Sequence, residues 1–166
     1  MDLLKDSICE MSDPYLKFLL NAKYLYCCTL DRYQNPHVVP LIFTFVPEDD
    51  GCLIRCLIER NSVKAKNMRQ NPYVTFASDE NHPTIPLLNS GIMIETLVEL
   101  DEDLSEINRT IKLFQEKYAE EAWVPYACNL DADILMRAYP QKIIYWKGPY
   151  FQRFRCSKHW KKRASI

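Results

Sequence analysis

The stretch that decides the fold runs from residue 52 to residue 78 and reads CLIRCLIERNSVKAKNMRQNPYVTFAS. The apolar run from Cys52 to Ile58 predicts a buried strand, and Tyr73 to Ser78 predicts a second one. The short basic segment between them predicts a helix with a polar cap. Asn71-Pro72 ends this helix, because proline disfavours helical geometry in the residue before it. The stretch therefore predicts a strand, a short helix and another strand.

The predicted helix carries basic residues where a helix start disfavours them. The positive end of the helix dipole lies at the N-terminus, so it opposes Lys64 and Lys66 in the first turns. These lysines either hold an anion or are ordinary solvated side chains, and composition alone leaves both open. Asn61 or Ser62 can cap the helix, and the free amides at its start attract phosphate. Lys64 would add a charge-assisted hydrogen bond.

Turn residues divide the preceding part of the chain into a helix and two strands. Ser12 or Asp13 caps a helix that begins at Pro14, since proline suits the first helical position. Tyr24 to Leu30 predicts a strand, and His37 to Val46 predicts its antiparallel partner across the turn DRYQNP.

The second half of the chain adds strands and one long helix. Gly91 to Leu100 predicts a strand, and DLSEINRTIKLFQEKY predicts an amphipathic helix. The apolar face of that helix consists of Leu104, Ile107, Ile111 and Phe114. Residues 120–140 fit no single pattern, and a helix over Ala132 to Ala138 is one interpretation. KIIYW and YFQRF predict closing strands.

Short antiparallel strands with helices between them are typical of an α+β domain built on a small barrel. The chain of 166 residues suits one domain, residues 1–166, and it contains no internal repeat and no linker.

Glycine usage limits how the chain can hold a phosphate. Only Gly51, Gly91 and Gly148 are present, so neither a GxGxxG dinucleotide motif nor a Walker A loop can be written anywhere. Any phosphate must be held by side chains and a helix end.

Cysteine, histidine and charge exclude several further classes. Seven Cys without a CxxC pair and three His predict neither a zinc site nor a disulfide framework, so we expect buried cytosolic thiols and no metal. The N-terminus has no signal-like apolar core and no run is long enough to span a bilayer, so a cytoplasmic protein without membrane contact is expected. A net charge of −1 gives no overall pull toward nucleic acid. The basic tail from Arg153 to Arg163 is either a solubilising end or a contact for phosphate or a partner.

Three pieces of the sequence, in this order, resemble a known family. They are YLYCCTLDRYQNPHVVPLIF, SVKAKNMRQNPYVTF and GIMIETLVELDED, within residues 12–118. Their order and spacing resemble the flavin-binding split-barrel family typified by pyridoxamine phosphate oxidase. The resemblance implies an α+β fold with an antiparallel split β-barrel, flanking helices and a dimeric state.

The resemblance also implies a cofactor site. It implies a homodimer that binds FMN in clefts between its subunits, with Ser62 and Lys64 at the phosphate. The strand that would border the flavin ring with its backbone contains Val38, Val39, Pro40 and Leu41. Trp146 lies in a late strand that, in this family, can approach the cofactor from the partner chain.

Two positions depart from the family pattern. Val63 stands where the family often has an arginine between the serine and the lysine, and Ile58 stands where it often has a hydroxyl residue. Arg60, Lys66 and the basic tail offer substitutes. The predicted cofactor-binding set therefore includes Arg60 and Val63 beside the residues named above.

Three functions follow as hypotheses. The first is an FMN-dependent oxidoreductase whose substrate and catalytic residues are unknown. Vitamin B6 oxidation is not predicted, because the segment RFRCSKHW spaces its arginines and histidine differently from the Arg-x-His signature of that activity. The second is a non-catalytic binder or sensor of flavin, heme or a deazaflavin on the same fold. The third is an interaction module that binds acidic partners or nucleic acid through the basic tail. It predicts that deleting residues 153–166 abolishes this binding and that the affinity falls steeply with salt concentration.

Overall fold

A computed structural model describes residues 14–48, 51–119 and 133–155. Within these ranges it contains three α-helices, one short 3-10 turn at Pro86–Leu88 and eight strands. The helices are α1 (Pro14–Asn21), α2 (Val63–Gln70) and α3 (Leu104–Lys117). The strands are β1 (Leu25–Leu30), β2 (Pro36–Leu41), β3 (Thr44–Glu48), β4 (Gly51–Glu59), β5 (Tyr73–Glu80), β6 (Ser90–Asp101), β7 (Asp133–Lys147) and β8 (Tyr150–Arg155).

The strands form one antiparallel sheet whose two ends must approach each other. The strand order is β2-β1-β5-β6-β7-β4-β3, with β8 pairing beside β7. The strands at the two ends, β2 and β3, are separated in sequence only by Ile42 and Phe43. The Cα atoms of Leu41 and Thr44 can therefore be at most about 11 Å apart, at about 3.8 Å per residue. The sheet consequently curves into a barrel that is open between β2 and β3.

Strand β7 pairs with two different strands along the same one of its two edges. Its first half, from Asp133 to Ala138, pairs with β4, and its second half, from Lys142 to Lys147, pairs with β8. Strand β6 follows the whole opposite edge, with a register shift beside Glu95 and Thr96. Because β4 and β8 share one edge of β7, the sheet splits at the middle of this strand.

Helix α1 closes one end of the barrel. Four of its eight residues are buried, namely Tyr15, Leu16, Phe18 and Leu19, and they belong to the same apolar core as the inward side chains of the strands. The Tyr15 ring packs on Phe154 of β8 at 4.8 Å between centroids, and the Phe18 ring meets Tyr145 of β7 edge-on at 6.1 Å. The helix therefore packs on β8 and on the second half of β7, which pair with each other beyond the split.

Helix α3 covers the outer face of β4 and of the first half of β7. Its buried side chains are Ile107, Thr110 and Phe114. Arg55 points outward from β4 and is only 2% exposed, and its guanidinium donates to Thr110 Oγ1 at 2.9 Å and to Glu106 Oε2 at 2.6 Å. A buried arginine paired in this way fixes the helix on the strand.

The residue after α3 compensates for the opening between β2 and β3. The Tyr118 hydroxyl accepts a hydrogen bond from the Phe43 N–H at 3.2 Å. Its own hydrogen can be donated to the Phe43 carbonyl at 2.8 Å or the Lys23 carbonyl at 2.7 Å. Phe43 is fully buried, so without this hydroxyl its backbone groups would be desolvated without a partner.

Replacing Tyr118 with phenylalanine is therefore expected to destabilise the protein by about 1–3 kcal/mol, the usual cost of leaving a buried backbone group unpaired. Urea unfolding measured by circular dichroism checks this, with Tyr33→Phe as the control because Tyr33 is 69% exposed. Equal midpoints for the two variants would contradict the role given to the Tyr118 hydroxyl.

The structure corrects three expectations from the sequence. The single strand expected from His37 to Val46 is two strands, because the chain leaves one end of the sheet and enters the other at Ile42 and Phe43. The helix considered over Ala132 to Ala138 is wrong, since Asp133–Lys147 forms one strand with apolar residues on both faces of its first half. Leu104 is 61% exposed and does not join the buried face of α3. The predicted caps Ser12 and Asp13 lie outside the described residues.

Candidate functional site

The start of α2 has the geometry of an anion site. Ser62 caps the helix in an extended conformation, and its hydroxyl accepts from the Ala65 N–H at 3.4 Å and donates to the Glu59 carbonyl at 2.7 Å. The first amides of a helix have no acceptor within it, so those of Val63 and Lys64 remain for an external acceptor. Amides in this position, at the positive end of the dipole, attract phosphate.

Lys64 is half-buried, whereas Lys66 is exposed. Burial raises the pKa of the inward Cys27 thiol to about 12, and the Lys64 ammonium partly offsets this rise. The same ammonium acts on Cys56 in β4, whose pKa burial also raises. The Lys64 charge therefore lies close to the barrel wall, while Lys66 is a solvated lysine.

Two further residues of the predicted cofactor-binding set, Arg60 and Val63, offer no charge to a phosphate. The Arg60 guanidinium forms an ion pair with Glu102, at the link between β6 and α3. Val63 is 53% exposed and presents only an apolar side chain beside the cap. Among the residues that the structure describes, Lys64 is thus the side-chain cation left for an anion at the start of α2.

The strand expected to border a flavin ring has one edge available. Strand β2 pairs with β1 alone among the described strands. Val39 and Leu41 pack against the core, whereas Val38 is 56% exposed and Pro40 is also exposed. The unpaired edge of β2 can therefore offer backbone hydrogen bonds to a planar ligand, with Val38 and Pro40 facing outward.

A buried polar chain joins α2 to this strand. The Asn67 amide donates to Thr29 Oγ1 at 3.0 Å, and the Thr29 hydroxyl donates to the His37 carbonyl at 3.4 Å. Asn67 is 5% exposed and Thr29 is 1% exposed. Neither residue was identified from the sequence, although Thr29 follows Leu25 and Cys27 at an inward position of an alternating strand. A lone hydroxyl in an inward apolar row was the available signal.

Trp146 lies elsewhere on the barrel. Its indole covers Gly91, where an added Cβ would come within 2.1 Å of the ring. With Tyr26, Ala77 and Asn89 among its neighbours, it lines a pocket of about 300 Å³. Across β6, Trp146 aligns with Asp79 of β5. Thr29, which contacts Asn67 of α2, lies one residue beyond the level of Thr75 on the same strand. Trp146 and this contact with α2 are therefore about 17 Å apart along the strand direction alone. Trp146 and the start of α2 are therefore not brought together within one chain.

The outer face of the sheet that α3 does not cover is partly apolar. We call it the open face; it consists of the outward residues of β1, β5, β6 and the second half of β7. Tyr26 and Tyr73 are 40% and 54% exposed on it, and the ring of Tyr24, just before β1, packs edge-on against Tyr26. Its centre is Met93, which pairs with Ala77 on one side and Ile144 on the other. The open face also carries one ion pair, between Lys142 and Glu95 at 2.7 Å.

Comparison with known proteins identifies the fold. No family model and no curated protein matches the sequence. Solved structures do match, among them the conserved hypothetical protein Rv2991 from Mycobacterium tuberculosis, at 19% identity over 84% of this chain and 86% of that one, with a TM-score of 0.68. An F420 reductase matches at 19% identity over 80% and 98%, with a TM-score of 0.61. The heme storage protein HutZ from Vibrio cholerae matches at 22% identity over 77% and 89%, with a TM-score of 0.59.

The fold is that of a split barrel. The predicted α+β class with an antiparallel sheet and flanking helices is confirmed, and these solved structures share that fold. Identities this low show the fold alone, so the predicted cofactor, dimer and site residues stay predictions. Within the described ranges, no helix has both the length and the apolar character to cross a bilayer.

Proposed function

We propose that the protein binds FMN at the start of α2 and along β2, and that it acts as a flavin-dependent oxidoreductase. One observation carries the proposal: a capped helix start with free amides and a half-buried Lys64 is held beside a strand, β2, one edge of which pairs with no other described strand. The helix start suits a phosphate, and the strand edge suits a flat heterocycle with hydrogen-bonding groups at its rim. A neighbour on this fold is named F420 reductase, which supports redox chemistry in such a site.

The residues present fit the phosphate end of the ligand with few side chains. The amides of Val63 and Lys64 would hold phosphate oxygens, and the Ser62 hydroxyl would join them by turning its hydrogen away from the Glu59 carbonyl. The Lys64 ammonium would neutralise one negative charge. Val38 to Leu41 would orient the ring through the backbone. When bound, the flavin supplies the hydride or electron chemistry. The protein would orient the flavin and shape the space beside it for a substrate that stays unidentified.

Replacing Lys64 with alanine is expected to raise the dissociation constant for FMN about tenfold, because a charge-assisted hydrogen bond contributes about 1.5 kcal/mol. Flavin fluorescence quenching measures this, and riboflavin, which lacks the phosphate, is expected to bind Lys64→Ala and the wild type equally. Lys66→Ala is the matched control, since Lys66 is exposed on the same helix. The proposal fails if purified protein neither contains FMN nor binds it on titration.

We further propose that the functional unit is a homodimer formed through the open face, with Trp146 of each subunit approaching the cofactor of the other. Two arguments support this: the open face leaves large aromatic side chains exposed, and Trp146 cannot reach the start of α2 in its own chain. Exposed apolar patches of this kind mark interaction surfaces.

Met93→Arg places a charge at the centre of the open face and is expected to dissociate the dimer at micromolar concentration, because an unpaired charge at a desolvated interface is costly. Light scattering coupled to gel filtration measures the mass. Lys112→Ala, at an exposed position of α3, should remain dimeric. A monomeric wild type would rule out the dimer.

A second candidate is a non-catalytic binder of heme or a deazaflavin. It is favoured by the exposed apolar Val63 and by the engagement of Arg60 with Glu102, which leave few phosphate contacts. HutZ, named a heme storage protein, has the same fold. The colour and mass of the chromophore released from purified protein distinguish the candidates. Bound FMN that nicotinamide nucleotides and other donors fail to reduce would favour a sensor over an oxidoreductase.

A further inference from the structure

Helix α2 is weakly held by apolar packing. Of its eight residues only Ala65, Asn67 and Met68 are buried, and its mean hydropathy is low because Lys64, Lys66 and Arg69 are charged. Only two buried apolar side chains, Ala65 and Met68, hold this short helix on the barrel, so apolar packing alone fixes its rotation about the axis loosely. A polar contact with strict geometry can supply what the packing lacks.

The hydrogen bond from Asn67 to Thr29 is such a contact. Both side chains are almost fully buried, so an Asn67 amide turned away from Thr29 would lose its partner without gaining water. One residue corresponds to about 100° around an α-helix, so even a modest rotation breaks this bond. The bond therefore selects one rotation of α2 against the barrel.

The selected rotation determines where the anion site faces. Lys64 and Asn67 are three residues apart and share one side of the helix. The Thr29 hydroxyl in turn donates to the His37 carbonyl, and His37 is followed directly by Val38 on β2. Fixing Asn67 on Thr29 thus directs Lys64 and the first amides of α2 relative to β2.

We propose that Thr29 and Asn67 are positioning residues that give the site its preference for a phosphorylated flavin over the unphosphorylated one. This inference rests on the proposed function. Neither side chain needs to touch the ligand, since both act through the orientation of α2.

Thr29→Val tests the idea, because valine keeps the shape and strand preference of threonine and removes the hydroxyl. The dissociation constant for FMN should rise about five- to twentyfold, and that for riboflavin should change less than about twofold. Thr29→Ser, which keeps the hydroxyl, should restore FMN binding to within about threefold of the wild type. Thr96→Val is the control: Thr96 is also buried and bonded, to the Val74 carbonyl at 2.8 Å, but its hydroxyl does not contact α2.

Two results would overturn the positioning role. One is an equal loss of FMN and riboflavin affinity in Thr29→Val, and the other is an equal effect of Thr29→Val and Thr96→Val. Amide hydrogen exchange gives a readout without ligand: Thr29→Val should speed exchange in the second turn of α2 about tenfold, and Thr96→Val should not. If the wild type prefers FMN no more than riboflavin, the proposed function is at fault, and unchanged exchange in Thr29→Val then rejects the positioning role as well.

Discussion

The free energy of unfolding is expected to rise as the pH increases from about 6 to about 8.5, and Lys117→Met is expected to flatten that rise. Lys117 ends α3 with its side-chain nitrogen Nζ 3.2 Å from the centre of the Phe43 ring and 3.1 Å from the Leu19 carbonyl oxygen. Burial lowers the pKa of this amine from 10.5 to about 6. The folded protein therefore holds a largely neutral lysine at neutral pH.

The sign follows from proton binding. Between about pH 6 and 10.5 the unfolded chain keeps a proton on Lys117 that the folded protein lacks, so raising the pH favours the folded state by up to about 1.4 kcal/mol per pH unit. Below pH 6 both states are protonated and the dependence ends. Above about pH 8.5 the buried thiols act in the opposite direction, because the pKa values of Cys27 and Cys56 are raised by burial and the unfolded thiols ionise first.

Urea unfolding at several pH values in that window measures the effect. Lys117→Met keeps an unbranched apolar chain and should stabilise the protein at pH 7 by about 2–4 kcal/mol, less whatever the bond to Leu19 contributes. Lys112→Met, on the exposed side of the same helix, should leave the slope unchanged. A wild-type stability that is flat from pH 6 to 8 would show that Lys117 is not desolvated.

Glu106→Ala is expected to cost about 3–5 kcal/mol, because it leaves the buried Arg55 guanidinium without its carboxylate. The Arg55 side chain is 3% exposed and the Glu106 side chain 26% exposed, with 2.6 Å between the paired atoms. The hydrogen bond from Arg55 lowers the pKa of the Glu106 carboxyl, with smaller contributions from Arg137 and Arg109. The carboxylate is thus the charge that balances Arg55 under α3.

Thermal and urea unfolding of Glu106→Ala and Glu106→Gln separate charge from hydrogen bonding, since glutamine keeps an acceptor and should lose less. Glu116→Ala, at an exposed position of the same helix, should change stability by less than about 0.5 kcal/mol. If Glu106→Ala also lost less than about 0.5 kcal/mol of stability, water or Thr110 alone would satisfy the Arg55 guanidinium.

Local signals predicted the helices and hairpins well. Pro14 and Asn71-Pro72 set the start of α1 and the end of α2, and Ser62 caps α2 as expected. The break at Ile42 and Phe43 was not predictable, because the residues around it are continuously apolar and the break is imposed by the opening of the barrel. Strand β7 was missed for a related reason: its first half is buried on both faces, where alternation disappears.

The candidate site was predicted only in its local part. Ser62 and Lys64 follow from helix capping and charge, which act within a few residues. The engagement of Arg60 with Glu102 and the bond between Asn67 and Thr29 join residues that are distant in sequence. The alternation in CLIRCLI places Arg55 on the outward side, yet only the position of α3 explains why a charge is buried there.

The strand order also bears on how quickly the protein can fold. Hairpins such as β1 with β2 and β3 with β4 form between neighbouring segments, but Cys27 must find Phe76 and Ile58 must find Ile134. Each of these pairings closes a long loop, whose entropy must be lost before the contacts are gained. We therefore expect refolding in milliseconds to seconds rather than microseconds. The two-residue link between β2 and β3 would then reach its final place late, when the last long-range pairing brings the sheet ends together.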